Sequence, residues 1–167
     1  MNRSPAIKTR RLELRPLEVT DADEMLTVLS HPSLYDFTGG IPPTRAGLEA
    51  RYRAQVAGPP DGDQQWHNWI IRLTETHAAV GFVQATVTDQ TADIAWVVGV
   101  KWQGRGIATE SASAMCRWLA GIGVERLIAH IHPDNRASAG VAASLGLRIS
   151  GEVDGDGEMI WDNRVEA

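Results

Sequence analysis

The chain has 167 residues, of which 43% are hydrophobic and 22% are charged, and its formal net charge is −5. This length predicts one domain with a sizeable core. The acidic balance argues against nucleic acid as the main partner, because phosphate backbones require a basic surface. The single cysteine, Cys116, excludes an internal disulfide framework. No apolar run is long enough to span a membrane, and residues 1–10 lack the apolar core of a signal peptide, so we expect a cytoplasmic protein without a membrane partner.

The N-terminal third contains one predicted strand followed by two predicted helices. Leu12 and Leu14 alternate with charged residues, which indicates a strand. Thr20 is predicted to cap the first helix, because acidic residues follow it in the first turn. Thr44 is predicted to cap the second helix, which ends at Gly58.

The rest of the chain alternates between strand and helix patterns. A long helix is predicted from the apolar stripe that runs from Ile107 to Ile122. Strands are predicted at about 67–73, 79–87, 92–99, 126–132, 147–153 and 158–162, with a short helix at about 136–145. The resulting order, βαα-βββ-α-β-α-ββ, predicts an α/β protein with a mixed sheet that is partly covered on both faces.

The most informative segment is the glycine-rich run from Gln103 to Thr109, between a strand pattern and the long helix. Glycine lets a backbone approach a ligand closely, and a helix start offers unpaired N–H groups to an anion. Arg105 adds a charge-assisted donor, so a phosphorylated ligand is predicted. The run is not a Walker loop, and Thr109 stands where a dinucleotide loop would have its third glycine.

The spacing Gln103-x-x-Gly106-x-Ala108 resembles the acyl-CoA loop of the GNAT superfamily of N-acyltransferases. The longer run from Asp93 to Glu110 is similar to the branch that includes ribosomal-protein N-terminal (alanine/serine) acetyltransferases. In that branch Arg is usual where this chain has Gln103, a change that the superfamily pattern allows.

A second segment supports the same resemblance. Asn135-x-x-Ser138, followed by a helix and Leu145-Gly146-Leu147, resembles the second CoA-contacting motif of this branch. Leu147 replaces the usual Phe and keeps the position apolar. Two motifs at this separation, with a strand between them, make the resemblance specific.

The resemblance implies one GNAT domain over residues 1–167, with a central sheet splayed at the CoA site. Acetyl-CoA is the implied cosubstrate and a primary amine the implied acceptor, with no metal. Pantetheine would lie in the gap against the backbone of Val98 and Val100, and Gly99 is the expected relief point of a bulge that opens this gap. The implied CoA contacts are Val98, Gly99, Val100, Gln103, Gly104, Arg105, Gly106, Ile107, Ala108, Thr109, Asn135 and Ser138.

Acetyl transfer requires that a protonated amine lose a proton, and three residues compete to accept it. His130 lies on the strand that borders the implied cleft, where N-terminal acetyltransferases of the superfamily can carry a Glu base. Asp93 matches a Glu of the branch pattern, and His132 shares the face of His130. Each also has an explanation without catalysis, either as a strand histidine satisfied by hydrogen bonds or as a solvated strand end.

The implied acid that protonates the leaving thiolate is less well defined. Many GNAT enzymes use a Tyr at the position of Val141, so Ser138 or a water molecule is the alternative here. Ser138 is equally explained as a helix-start residue. Direct attack needs no covalent intermediate, and Cys116 is expected to be a packing residue inside the long helix.

The acceptor site is expected near the two N-terminal helices and the C-terminal hairpin. Trp66, His67 and Trp69 are candidates for its wall, with core packing as the competing explanation. The acidic hairpin Glu152–Glu158 would attract a cationic amine, or it is a solvated turn. Two functions stay open: an acetyl-CoA-dependent N-acetyltransferase, and a CoA-binding sensor or partner-binding module without turnover. The sequence allows a homodimer.

Overall fold

One mixed sheet of eight strands organises residues 4–164, which are the residues that this computed structural model describes. The order across the sheet is β1-β2-β3-β4-β5-β6-β8-β7, and β5 and β6 form the parallel pair in this part of the chain. The strands are β1 (Ile7–Lys8), β2 (Leu12–Pro16), β3 (Gln65–Leu73), β4 (Ala79–Thr88), β5 (Thr91–Val98), β6 (Arg126–Ile131), β7 (Arg148–Val153) and β8 (Met159–Asp162). The helices are α1 (Ala22–Val28), α2 (Arg45–Ala57), α3 (Ile107–Gly121) and α4 (Arg136–Ser144).

The predicted order of elements is confirmed, with one strand added at the start. β1 has two residues and pairs with β2, too short for an alternating pattern to reveal. The predicted cap of α1 by Thr20 is wrong, because residues 19–21 form a 3-10 turn and α1 begins at Ala22. The predicted cap of α2 is confirmed, since Thr44 Oγ1 accepts a hydrogen bond from Gly47 N at 3.1 Å.

The helices cover the two faces of the sheet in pairs and create two cores. On one face α3 and α4 pack over β2–β6, with Met115 and Leu119 fully buried against Trp69. On the other face α1 and α2 pack Met25 and Leu48 over β3 and β4. β3 contributes buried residues to both cores, with Trp69 and Ile71 on the α3 face and Ile70 on the α1 face. No helix in residues 4–164 combines the length and the apolar character of a membrane span.

Candidate active site

A gap opens in the middle of the sheet, between β5 and β6. The two strands pair only where Thr91–Asp93 faces Arg126–Ile128. Beyond these residues the ladder stops, although β5 continues to Val98 and β6 to Ile131. The splayed sheet that the resemblance implied is therefore confirmed.

The edge of β5 that borders the gap carries backbone groups that no neighbouring strand pairs with. Gly99 N donates to Val80 O at 2.8 Å, across the opposite edge. Because the backbone groups of an antiparallel strand alternate in direction, those of Val98 and Trp96 point towards the gap, beyond the residues that pair with β6. This edge can therefore receive an extended ligand as an added strand.

The bulge expected at Gly99 does not exist. β5 pairs with β4 along its whole length without a register shift, and Gly99 lies just beyond the strand. The irregular position is Val80 in β4, at the shift between β3 and β4. Gly99 is small for a packing reason, because a Cβ there would come within 3.0 Å of Trp102 and Val28.

The phosphate loop, residues Gln103–Thr109, connects β5 to α3. Gly104 and Gly106 have φ values of +76° and +77°, a conformation that glycine adopts without strain. Gly106 is the N-cap of α3 and provides no side-chain cap. The first N–H groups of α3 therefore lack the capping acceptor that Ser, Thr or Asp would supply, and they can bind an anion.

Three residues for which CoA contacts were implied, Val98, Val100 and Gln103, lie at or just before the start of this loop. Val98 is the last residue of β5, and its carbonyl accepts a hydrogen bond from Gln103 Nε2 at 3.0 Å. Val100 lies in a 3-10 turn, residues 100–102, rather than in an extended strand. The side chain of Gln103 thus ties the loop to the strand that borders the gap.

A side-chain clamp, which no local sequence pattern predicts, holds the phosphate loop at Arg105 and Glu110. Arg11 Nη1 donates to the carbonyl of Arg105 at 2.9 Å, and Arg11 Nε donates to Glu110 Oε1 at 2.7 Å. Thr9 Oγ1 donates to Glu110 Oε2 at 2.6 Å. These bonds hold the pKa of Glu110 below its ordinary value, against the opposing effect of partial burial. The turn between β1 and β2 therefore fixes the first turn of α3.

The second predicted motif lies at the start of α4, beyond the end of β6. Asn135 is the N-cap, and its Oδ1 accepts a hydrogen bond from Ser138 N at 3.2 Å. Ser138 is half-buried in the first turn, and Val141 follows one turn later. The starts of α3 and α4 thus both follow strands that border the gap.

Three side chains from distant segments meet at the paired end of the gap. His130 Nε2 lies 2.9 Å from Asp93 Oδ2, and His130 Nδ1 lies 2.8 Å from Asp154 Oδ2. Asp93 is the most exposed of the three, with 52% of its side chain accessible. We call Asp93, His130 and Asp154 the Asp–His–Asp triple. The triple lies on the face of the sheet that α1 and α2 cover. The neighbours of His130 in β6, Ala129 and Ile131, point to the other face and are buried under α3.

The triple is electrostatically coupled. Partial burial lowers the pKa of His130, but the hydrogen bonds and negative charges of Asp154 and Asp93 outweigh it and raise the pKa above its ordinary value. Desolvation raises the pKa of Asp93, opposed by His130. Hydrogen bonds from the backbone of Glu158, above all, lower the pKa of Asp154. His130 is therefore protonated more readily than a free histidine.

The acidic hairpin is partly structural. Asp154 Oδ1 accepts hydrogen bonds from the backbone N–H groups of Asp156 and Glu158, both at 2.9 Å. Carboxylate oxygens of these three residues lie within 4.8 Å of one another. The hairpin thus stabilises its own turn and concentrates negative charge beside His130. This charge favours the approach of a cationic amine.

Other predicted candidates have packing roles. His67 and Trp69 are fully buried and pack against Trp118 of α3, on the face away from the triple, so the core-packing explanation holds for both. His132 packs against Phe37 with tilted rings whose centroids are 5.2 Å apart. Burial raises the pKa of the Cys116 thiol to about 12, which agrees with a packing role and not a nucleophilic one.

Two cavities lie on the face of the sheet that carries the triple. One, of about 200 Å³, lies between α1, α2 and strands β3 and β4. We call it the helix cavity. The other, of about 300 Å³, is lined by Thr86, Thr91 and Asp93 among others. Gln84 of the helix cavity and Thr86 of the second cavity are two residues apart on β4, so the cavities are neighbours.

Comparisons with known proteins agree with this architecture. Residues 11–148 match the family model described as the acetyltransferase (GNAT) domain. This chain belongs to the GNAT acetyltransferase family. It is 26% identical to the uncharacterized N-acetyltransferase p20 of Bacillus licheniformis over 147 residues, which is 86% of this chain and 82% of p20.

Solved structures of acetyltransferases have the same fold. The ribosomal-protein acetyltransferase RimL in complex with coenzyme A superposes with a TM-score of 0.78 at 16% identity, over 95% of this chain and 96% of RimL. The microcin C7 self-immunity acetyltransferase MccE, in complex with acetyl-CoA and AMP, gives a TM-score of 0.75 at 16% identity, over 92% of each chain. At these identities the likeness shows the shared fold.

Proposed function

We propose that this protein transfers the acetyl group of acetyl-CoA to a primary amine by direct attack in a ternary complex. The observation that carries the proposal is the gap between β5 and β6. The uncapped start of α3 lies at its open end, and the Asp–His–Asp triple lies at its paired end. Asp93 and Val98 are about 16 Å apart along β5, which separates an anion-binding end from a proton-accepting end. An acyl-CoA requires this arrangement, because its phosphates and its thioester are at opposite ends of a long arm.

The residues of the gap fit this cosubstrate. The backbone N–H groups from Gly104 to Thr109 would bind the pyrophosphate, and Asn135 would bind the arm through its Nδ2 atom, since its Oδ1 caps α4. Acetyl-CoA, when bound, supplies a thioester that an amine can attack. Backbone N–H groups of β5 that face the gap would stabilise the charge that develops on the carbonyl oxygen, at about 2.7–4 kcal/mol for each donor.

Proton removal is assigned to the Asp–His–Asp triple as a unit. Asp93 is its exposed member and can hydrogen-bond an incoming ammonium group. His130 is its titrating member, and Asp154 orients the ring from the other side. Because the groups are coupled, the apparent pKa of the base belongs to the triple.

Protonation of the leaving thiolate is assigned to Ser138, which is half-buried in the first turn of α4. Val141 cannot donate a proton, and this observation favours the second candidate function, a CoA-binding sensor without turnover. Replacement of Ser138 by Ala should slow turnover modestly at unchanged CoA affinity, because thiols with a pKa of about 8.5 are fair leaving groups. Full turnover by this variant would assign the proton to water.

The two functions are distinguished by release of free thiol from acetyl-CoA across a panel of primary amines, with mass spectrometry of the acetylated product. Amine-dependent thiol release identifies the transferase. Tight acetyl-CoA binding without thiol release on any amine identifies the sensor. For the cell we propose a cytoplasmic location and no nucleic-acid partner, on the support of the net charge of −5 and the single cysteine.

A further inference from the structure

One residue in the wall of the helix cavity, Tyr52, has a buried hydroxyl group without a partner. Tyr52 lines the cavity and is 4% exposed, and its hydroxyl oxygen has no hydrogen-bond partner in residues 4–164. A buried polar group that is left unpaired destabilises the fold, so a ligand that enters this cavity and accepts a hydrogen bond from the hydroxyl would remove that cost. Burial raises the pKa of Tyr52 to about 12, so this hydroxyl is a neutral donor at neutral pH.

Other polar side chains line the same cavity without protein partners. Gln55, Asn68 and Gln84 all contribute to the wall, and no hydrogen bond from their side-chain amides is found within the described residues. Arg51 lies at the exposed edge of the cavity. Asp21, which is paired with Arg72, and then Arg51 act electrostatically on the hydroxyl of Tyr52 in opposite directions. In residues 4–164 no carboxylate pairs with the guanidinium of Arg51. The cavity wall therefore carries hydrogen-bond donors that no protein acceptor uses, and the guanidinium of Arg51 has no carboxylate partner among the described residues.

The remaining wall is apolar and comes from both layers. Leu17 and Leu29 line the cavity beside α1, and Ile70 and Phe82 line it from the sheet. Such a wall suits an alkyl or aromatic body rather than a second polar group. A volume of about 200 Å³ holds one end of a small molecule and excludes a folded partner.

The cavity lies at a fixed distance from the Asp–His–Asp triple. Gln84 pairs with Ala95 across β4 and β5, and Asp93 is two residues further along β5 on the same face. Diagonal neighbours of this kind are about 7–8 Å apart. An acceptor whose amine reaches Asp93 therefore extends its other end towards Tyr52 and Arg51.

We infer that the acceptor is an amino carboxylate, with a primary amine and a carboxylate at opposite ends of an apolar body. This inference rests on the proposed function. The ammonium group would meet Asp93, and the carboxylate would accept hydrogen bonds from Tyr52 and Arg51 in the helix cavity. An α-amino acid, which carries both charges on one carbon, is too short to reach both sites.

The test compares three series of primary amines: ω-amino carboxylates of increasing chain length, alkylamines of matched length, and diamines of matched length. Turnover is measured by thiol release, and binding to the CoA-loaded protein by calorimetry. We expect kcat/KM to be highest for long ω-amino carboxylates, at about tenfold or more above the matched alkylamines, because the carboxylate receives charge-assisted hydrogen bonds. Equal values for the three series, or a preference for diamines, would overturn the inference.

Variants of α2 test whether Arg51 and Tyr52 recognise the carboxylate. Arg51→Gln should lower kcat/KM for ω-amino carboxylates by about tenfold and leave the value for alkylamines unchanged. Tyr52→Phe should lower kcat/KM for ω-amino carboxylates by roughly threefold to tenfold. It should not lower Tm, because the hydroxyl has no hydrogen-bond partner in the protein to lose. The matched control is Arg53→Gln, whose side chain pairs with Glu49 on the outside of the same helix. Equal losses for carboxylates and alkylamines would contradict a role in recognition.

Failure of the inference and failure of the proposed function give different results. Turnover of alkylamines without a carboxylate preference rejects the inference and keeps the transferase. Binding of ω-amino carboxylates that depends on Arg51, without turnover of any amine, keeps the inferred ligand chemistry and rejects the transferase. Neither binding nor turnover rejects both, and the cavity then holds water only.

Discussion

The two ends of the gap between β5 and β6 are built from different parts of the chain. At the open end, the phosphate loop uses main-chain geometry: two glycines with positive φ and the uncapped start of α3. At the paired end, the Asp–His–Asp triple uses side chains that are 37 and 24 residues apart in sequence. The first end is encoded locally and the second only by tertiary structure. Substitutions should therefore separate affinity for the cosubstrate from turnover.

The largest expected effect is at the paired end. His130→Gln keeps a side chain that can hydrogen-bond both carboxylates but cannot take up a proton at neutral pH. We expect kcat/KM to fall by about 10²–10⁴-fold, the usual contribution of a general base, with acetyl-CoA affinity unchanged. Steady-state kinetics and calorimetry measure the two quantities.

The matched control is His132→Gln, at the first residue beyond the end of β6. His132 packs against Phe37 and accepts a hydrogen bond from the backbone of Asp134, so its loss should leave kcat/KM near the wild-type value. Equal losses in the two variants would mean that the base is elsewhere.

The next largest effect is expected at the open end of the gap, on the affinity for acetyl-CoA. Gly106→Val places a β-branched residue at φ +77°, and such strain costs about 1–3 kcal/mol. We expect the loop to shift and the Kd for acetyl-CoA to rise by about 10–100-fold. Gly123→Val is the control for strain alone, because Gly123 has φ +97° and lies in open space after α3. Equal acetyl-CoA affinity in Gly106→Val and wild type would reject the phosphate loop.

A smaller effect should follow from loosening the clamp behind that loop. Arg11→Gln removes the hydrogen bond to the carbonyl of Arg105 and the ion pair with Glu110. Because Arg11 is 46% exposed, we expect a loss of about 1 kcal/mol, which raises the Kd for acetyl-CoA about fivefold. The exposed neighbour Arg10 supplies the control, Arg10→Gln. An unchanged Kd in Arg11→Gln would show that the loop keeps its shape without the clamp.

The subtlest change is in the pH profile. Asp154→Asn removes a negative charge and hydrogen bond that raise the pKa of His130, while its remaining oxygen can still accept from the hairpin backbone. The pKa of His130 should fall, so the acid limb of kcat/KM should move to lower pH. Asp156→Asn is the control, since Asp156 has no hydrogen bond to His130 in the described residues. A shift to higher pH, or none, would remove His130 from the titrating role.

Most of the fold could be predicted because its elements have strong local patterns. Alternation identified β2–β8, and an apolar stripe identified α3. β1 was missed because two residues carry no periodicity. Thr20 was misjudged as a cap because a 3-10 turn and a helix start share the same acidic composition, and only the backbone geometry separates them.

The candidate site also has parts that could be predicted from the sequence and parts that could not. The phosphate loop and Asn135 could be recognised as contiguous motifs. Asp93 and His130 were candidates, but their contact depends on the parallel register that sets Asp93 opposite Ile128, and no local pattern encodes it. Tyr52 shares the buried face of α2 with Leu48, a spacing typical of core packing, and its unpaired hydroxyl is visible only in the folded structure.

The hairpin that carries Asp154 is also the outer edge of the sheet. β7 is bonded on one side only, by β8, and most of its residues are exposed. Segments with few buried contacts open locally at a lower free energy than the core, whereas β5 and α3 lie inside the main core. On warming, this hairpin should therefore release His130 before the rest of the domain unfolds. The protein would then pass through a state that retains acetyl-CoA without consuming it.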